Sequence, residues 1–287
     1  MSFIALLPTL LLVSLALVMF GLGLSLTVDD FKRLLKHPKA VLLALGLQVL
    51  LLPAACYALI VLLGVPPVFA VGLMLLAASP GGVSANLFSH LFGGNVAMNI
   101  SLTAINTLLS IVSLPLIANW AINTFAKTGQ VVPLQLGKVL EVVGVVLIPV
   151  LIGMLVNRKS PGFSQRMERP MKIFSALVLA AFALIAIGKE WDALVTSFAV
   201  IGPAVVAFNL ISLLAGYYVS RWAGLDKALA TAISFEIGIH NSTLAIFIAL
   251  SVLNNFQLAL PAAIYSVSMY VTATLFGLLV LRRGQKA

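Results

Sequence analysis

Along this chain the hydrophobic positions gather into long runs separated by short polar segments. Nine runs lie near residues 4–26, 40–63, 68–92, 96–120, 131–156, 171–188, 196–220, 228–253 and 260–281. About 20 consecutive apolar residues are enough for a helix to cross a bilayer. The pattern therefore predicts an all-α polytopic membrane protein with nine transmembrane helices. The segments between the runs are "TVDDFKRLLKHPK", "LLGVPP", "FGGN", "NTFAKTGQ", "NRKSPGFSQRMERPMK", "GKEWDAL", "SRWAGLDK" and "NNFQLALP", with the tail "LRRGQKA". None has the length or composition of a soluble domain. The first run has no basic residues ahead of it and is longer than a signal-peptide core, so it reads as a retained helix.

Two runs are interrupted. The third carries "ASPGGVSANLF", in which Pro80 removes a backbone donor and Gly81 and Gly82 are poor helix formers. At the helical rise the break falls roughly 18–20 Å along the run, near mid-membrane. The eighth carries "SFEIGIHNSTLAI", with Glu236, Gly238, His240 and Asn241 in an otherwise apolar stretch. Glu236 lies about 13 Å from Lys227 by the same rise, also near the middle. Each break stands beside an asparagine, Asn86 in one and Asn241 in the other. Paired interrupted helices in two halves of a membrane chain point to an inverted-repeat transporter with its site at the breaks.

Composition supports the membrane reading. The 287 residues are 62% hydrophobic and 9% charged, where a soluble domain has about 25% charged residues. Mean hydropathy is +1.16. The net charge of +9 is compatible with a nucleic-acid partner only until the basic residues are located. The segments after runs 1, 5 and 7, together with the tail, hold fourteen of the seventeen: Lys32, Arg33, Lys36, Lys39, Arg158, Lys159, Arg166, Arg169, Lys172, Arg221, Lys227, Arg282, Arg283 and Lys286. The opposite side has Lys127, Lys138 and Lys189. The charge is thus a positive-inside signal, placing the N-terminus outside and the C-terminus in the cytoplasm. Nucleic acid is excluded as a partner, and the lipid bilayer takes its place. Cys56 is the only cysteine, so no internal disulfide can form.

Chemistry concentrates on Glu236. An acidic residue at a helix centre costs roughly 2.5–3.5 kcal/mol on insertion scales. It must be protonated or paired with a cation, and no Lys or Arg lies mid-run. A proton or a bound metal cation remains. Carboxylate, amide and hydroxyl oxygens suit a hard ion such as Na⁺, and Asn86, Asn99, Thr103 and Gln48 are the oxygen donors to recruit. His240 is four residues after Glu236, on the same face if the helix is intact there. It reads either as a cation or proton ligand or as a neutral, satisfied histidine. Lys138 and Glu141 are three apart and should pair locally. The aspartates Asp29, Asp30, Asp192 and Asp226 all fall between runs, and no CxxC, HExxH or nucleotide-binding motif occurs. An enzyme reading therefore finds no catalytic pair.

At these residues the chain resembles the bile acid:sodium symporter family. "MFGLGLSLTVDDFKRLLKHPK" is similar to that family's first conserved helix and loop. "SPGGVSANLFSHLFGGNVAMNISLTAINTLLS" is similar to its first crossing helix and the helix that follows. "EIGIHNSTLA" is similar to its second crossing helix. The resemblance implies inverted repeats whose two broken helices cross at mid-membrane. It implies a core domain of helices near 40–120 and 196–281, a panel of helices near 4–26 and 131–188, and a substrate cavity between them. Carried over by matching position, a first Na⁺ site uses Asn86, Asn99, Thr103, Glu236 and the Ala85 carbonyl. A second uses Gln48, Glu236, His240 and the carbonyls of Ile237 and Ile239. Glu236 would bridge the two ions. His240 stands where the family usually has Gln, and imidazole is a poorer Na⁺ ligand than an amide oxygen, so one or two ions are expected. Substrate-facing residues are Asn241, Met269, Tyr270 and Val83. Met269 and Tyr270 stand where bacterial members can show a His-Asn pair, so a bile acid is not assumed as substrate. The expected function is Na⁺-coupled import of an organic anion, bile-acid-like or a small carboxylate, across the inner (plasma) membrane by alternating access. The alternative is a proton-coupled organic anion carrier or exporter in which Glu236 and His240 titrate.

Overall fold

The computed structural model describes residues 3–126, 136–167, 170, 171, 173, 174, 177 and 191–281. Among these the regular structure is entirely helical. The run expected at 171–188 lies mostly outside the described residues, as do residues 131–135 of the fifth run. Lys127, Arg169, Lys172, Lys189, Arg282, Arg283 and Lys286 of the charge census lie outside them too.

Helix α1 (Phe3–Ser25) turns by 67° into α2 (Val28–Lys36). The sequence reading treated this stretch as a polar connection; it is an amphipathic helix. Asp29 and Asp30 open it and Arg33 and Lys36 close it, the arrangement that the helix dipole favours. The Thr27 N–H and hydroxyl both donate to Asp30 Oδ2 (2.8 and 2.7 Å). Arg33 pairs with Asp30 at 2.6 Å and reaches the Ala97 carbonyl and Ser101 Oγ, tying α2 to a later helix.

Helix α3 (Pro38–Leu63) widens to a π-turn at Leu47–Leu51, where Gln48 is buried. Pro53 follows two residues later; it has no N–H to give the preceding turn, which is one cause of such irregularities. The third run divides into α4 (Pro67–Ala78) and α5 (Ser84–Leu91). Then come α6 (Val96–Phe125), capped by Asn95, whose side chain accepts from the Met98 N–H (2.9 Å), and α7 (Leu136–Lys159). A short helical stretch follows at 161–167. Helix α8 (Trp191–Trp222) precedes the eighth run, which divides into α9 (Lys227–Gly238) and α10 (Ser242–Val252). The chain continues in α11 (Gln257–Leu281).

Among the described residues five helices are long and apolar enough to cross a membrane, or six if the bent α1–α2 pair is one crossing. The two interrupted runs are split where proline, glycine and histidine fall in the sequence. Leu42, Leu62, Leu116 and Val112 point outward with more than half their surface exposed, as expected where lipid is the solvent. Helix α1 packs along α7. Their backbones meet at two glycines: a Cβ on Gly23 would lie 2.2 Å from the Val150 carbonyl oxygen, and one on Gly153 2.5 Å from that of Phe20. Small residues allow such close approach between apolar helices. Helix α8 packs against α9 and α11, and α4 against α6, around a core that includes Met74, Leu75, Phe208, Phe235 and Phe247.

Candidate functional site

The two breaks meet. Ser79 is extended (ψ 143°), the conformation that a following proline favours. Helix α9 ends at Gly238 and the chain runs on through Ile239 and His240. Gly81 and His240 lie opposite each other as an antiparallel pair. The Gly82 N–H donates to the Ile239 carbonyl (2.6 Å) and the Asn241 N–H to the Pro80 carbonyl (2.8 Å). Each unwound segment thus satisfies part of the other's backbone, which unwound chain inside a protein requires.

Glu236 is the last turn of α9 before the break and is fully buried. Thr103 Oγ1 lies 2.6 Å from its Oε2, and Asn106 Nδ2 donates to its Oε1 at 3.3 Å. The carboxyl lies against Gly81: a Cβ there would be 2.2 Å from Oε1. The ion pairs among the described residues are Lys32–Asp29, Arg33–Asp30 and Lys138–Glu141, so none reaches Glu236. Thr103 Oγ1 also lies 3.0 Å from the Asn99 carbonyl. Its single hydrogen can go to one partner only. Donated to Glu236, it stabilises a carboxylate; donated to Asn99, it leaves Oγ1 to accept from a protonated Glu236.

Three buried amide oxygens have no hydrogen-bond partner among the described residues. Asn99 Nδ2 donates to the Ala232 carbonyl (2.7 Å), while its Oδ1 has no partner. Asn86 Oδ1 is likewise unpartnered. Gln48 Nε2 donates to the carbonyls of Ala77 and Ser79 (3.2 and 2.9 Å), leaving Oε1 unpartnered. Buried polar atoms are normally hydrogen-bonded, so these three amide oxygens retain lone pairs that a hard cation could use. The amide orientations are assigned from these hydrogen bonds.

His240 does not share an intact helical face with Glu236, because α9 stops between them. Its Nδ1 is 3.1 Å from the Ser79 carbonyl oxygen. A carbonyl only accepts, so the hydrogen sits on Nδ1. The ring stacks on Phe208 and meets Tyr265 edge-on, and Nε2 has no hydrogen-bond partner among the described residues. Gln48 and His240 therefore converge on Ser79, as N–H donors to one carbonyl. Ala85, Ile237 and Ile239 are buried, and the Ile239 carbonyl already accepts from Gly82. Lys138 and Glu141 pair at 2.9 Å, away from this centre.

A cavity of about 330 Å³ lies beside the paired breaks. Val83, Asn241, Met269 and Tyr270, the four expected substrate-facing residues, all line it. Val18, Gly21 and Leu22 of α1 form part of the facing wall. The first residues of α5 and α10, Ser84 and Ser242, open onto the same space. Helix N-termini carry partial positive charge. Tyr270 OH lies 3.1 Å from Ser84 Oγ, and the Asn241 side chain accepts from the Leu244 N–H (3.1 Å), capping α10.

A profile of the Sodium Bile acid symporter family matches residues 12–197. The chain belongs to that family. The match takes in the first break and ends before the second. A relative in Arabidopsis thaliana, the "Probable sodium/metabolite cotransporter BASS1, chloroplastic", is 30% identical over 91% of this chain and 64% of its own length. The "Uncharacterized sodium-dependent transporter YocS" of Bacillus subtilis is 30% identical over 88% of this chain and 77% of its own. The ileal sodium/bile acid cotransporter of Oryctolagus cuniculus is 26% identical over 83% and 68%. The chain spans just under two thirds of the length of the plant chloroplast relatives. The family is one of transporters, not enzymes.

Two contributors escaped the sequence reading of this symporter-family chain. Asn106 touches Glu236, and its signal was present: Asn99, Thr103, Asn106 and Ser110 recur at spacings of four, three and four, one face of α6. The second is a cluster behind the break. Asn209 Nδ2 donates to the Gly238 carbonyl and to Tyr265 OH (both 2.6 Å), Tyr265 OH donates to the same carbonyl (2.8 Å), and Thr272 Oγ1 donates to Asn209 Oδ1. These residues are 56 and 63 positions apart in sequence, and no local pattern joins them.

Proposed function

We propose that this protein is a Na⁺-coupled secondary transporter that imports a small organic anion by alternating access. The observation that carries the proposal is a fully buried carboxyl, Glu236, with no ion pair among the described residues, together with buried oxygens on Asn86, Asn99 and Gln48 that have no partner among them. An isolated ionised carboxylate is costly in such surroundings, and a bound monovalent cation offsets the cost. The relatives named as sodium/metabolite, sodium-dependent and sodium/bile acid transporters favour Na⁺ as that cation.

The first ion site comprises Asn86, Asn99, Thr103, Glu236 and the Ala85 carbonyl. A second comprises Gln48, Glu236, His240 and the carbonyls of Ile237 and Ile239. The second is the weaker. The Ser79 carbonyl beside it accepts from both Gln48 and His240, and the Ile239 carbonyl accepts from Gly82. The substrate lies in the 330 Å³ cavity against Val83, Asn241, Met269 and Tyr270. Its carboxylate faces the N-termini of α5 and α10. The architecture is nine crossings in inverted repeats, with a core of helices near 40–120 and 196–281 rocking against a panel near 4–26 and 131–188. The protein sits in the inner (plasma) membrane with its N-terminus outside and its C-terminus in the cytoplasm, the orientation that the basic segments favour.

A second reading rests on the shared hydroxyl hydrogen of Thr103, which serves a protonated Glu236 as well as an ionised one. In that reading Glu236 and His240 carry protons and the cation is H⁺. Thermal stability of the purified protein in NaCl, against KCl and choline chloride, separates the two at pH 6 and pH 8. A ligand that binds only the folded state raises apparent stability by mass action. The expected result is a Na⁺-specific rise at pH 8 that disappears in Glu236→Gln. Equal curves in all three salts at both pH values would transfer the assignment to protons.

A further inference from the structure

A second, larger cavity of about 1070 Å³ lies away from the crossing, where the end of α1 and the start of α2 face the end of α7 and the helical stretch at 161–167. Its wall changes character along α7. Leu151, Met154 and Leu155 line it first, and Arg158 follows one turn later. Leu151 and Leu155 also belong to an outward apolar stripe with Ile148 and Ile152, each about half exposed. The spacing of 148, 151, 152 and 155 is that of one helical face, so the apolar wall is continuous with the surface that meets acyl chains.

The polar end is built from different material. Arg158 makes no ion pair among the described residues, whereas Lys32 across the cavity is held by Asp29 at 2.8 Å. Ser164 is 2% exposed, lines the cavity, and its Oγ has no hydrogen-bond partner among the described residues. Asn157 Nδ2 donates to the Leu26 carbonyl (3.0 Å) and fixes the end of α7 against the α1–α2 bend. A guanidinium with no ion pair among the described residues and a buried hydroxyl, set one turn beyond an aliphatic stripe, match a phosphate that carries acyl chains, while the carboxylate of Asp29 in the same wall is taken by Lys32. A phosphate binds Arg by charge-assisted, bidentate hydrogen bonds, and basic pockets between membrane helices are sites for anionic headgroups.

We propose that this cavity is a binding site for one anionic phospholipid. The headgroup phosphate lies on Arg158 and Ser164, and a chain lies along Leu151 and Leu155. A lipid here wedges the α1–α2 bend against α7, so its occupancy sets how freely those helices move relative to each other.

The test uses delipidated full-length protein in neutral detergent, titrated with dioleoylphosphatidylglycerol, dioleoylphosphatidylcholine and inorganic phosphate, with binding read by native mass spectrometry and thermal shift. Phosphatidylglycerol is expected to bind more tightly than phosphatidylcholine, whose choline cation offsets the phosphate charge that Arg158 meets, and Arg158→Gln to weaken phosphatidylglycerol binding by about tenfold, the ratio that loss of one charged hydrogen bond implies. Ser164→Ala should weaken it by a smaller factor in the same direction. If Arg158→Gln does not yield a monodisperse protein, Ser164→Ala, which removes only the buried hydroxyl, carries the test. Equal affinity for the two lipids would overturn the proposal, as would wild-type binding in a monodisperse Arg158→Gln or in Ser164→Ala. Displacement of phosphatidylglycerol by inorganic phosphate would reassign the cavity to a water-borne anion.

Discussion

Glu236 owes its environment to one missing atom. Gly81 has no Cβ, and the carboxyl of Glu236 occupies that space. A methyl at 81 would meet Oε1 at 2.2 Å and the backbone carbonyl oxygen of Glu236 at 2.6 Å. The carboxyl can rotate away, but the backbone oxygen cannot, so Gly81→Ala forces the two breaks apart. We expect a loss of about 1–3 kcal/mol, the usual cost of overpacking a filled interior, together with loss of any Na⁺-specific stabilisation. Thermal unfolding with and without NaCl measures both, and an unchanged Na⁺ response would mean that the Gly81–Glu236 contact does not shape the site. Glu236, Gly81 and His240 were conspicuous in the sequence because they break an apolar pattern. Asn106 was hidden among the many polar residues of its run, although its spacing from Thr103 was helical.

At the scale of the element, the breaks are made by local chemistry and held by caps. Proline and paired glycines end α4. Asn241 restarts the second interrupted helix by capping α10, and Asn95 starts α6, the helix that carries Asn99, Thr103 and Asn106 to Glu236. The Asn95 N–H also donates to the Ala228 carbonyl at the start of α9. Replacing Asn95 with Ala removes the cap but keeps that backbone bond. The expected cost is about 1 kcal/mol, with Na⁺ response retained, since the register of α6 against α9 is also held by the Asn99–Ala232 bond. A stability equal to wild type would show that solvent or lipid headgroups replace the cap without loss. The bend from α1 into α2 belongs to this scale too. Its charges read as a loop because Asp, Lys and Arg dominate it. Their order, acidic first and basic last, is the order that a short amphipathic helix needs.

For the whole molecule, the contact of α1 with α7 decides one side of the cavity. Gly23 and Gly153 let these backbones approach within the reach of a single methyl group. Val at 153 would press on the Phe20 carbonyl and on Gly23, and α1 would have to move, carrying Val18, Gly21 and Leu22 with it. Gly153→Val should lower thermal stability by about 1–3 kcal/mol and weaken substrate uptake while leaving Na⁺-specific stabilisation in place, because the proposed cation donors lie on other helices. Uptake at the wild-type rate would separate the α1–α7 contact from the transport path.

Local features of the sequence establish that this is a helical membrane chain, where its apolar runs lie, where two of them break, and which carboxyl stands mid-run with no Lys or Arg in the same stretch. These follow from local facts: run length against bilayer thickness, the backbone limits of proline and glycine, and the cost of a charge among apolar residues. Tertiary structure alone decided that the breaks pair antiparallel through Gly81 and His240, that His240 turns its Nδ1 to Ser79 and leaves the Glu236 face, and that Asn209, Tyr265 and Thr272 hold the Gly238 carbonyl. Those arrangements join residues dozens to more than a hundred positions apart. Hydrogen-bond geometry and packing between helices choose such partners, and a run of hydrophobicity in one helix carries no information about which carbonyl of another it will meet.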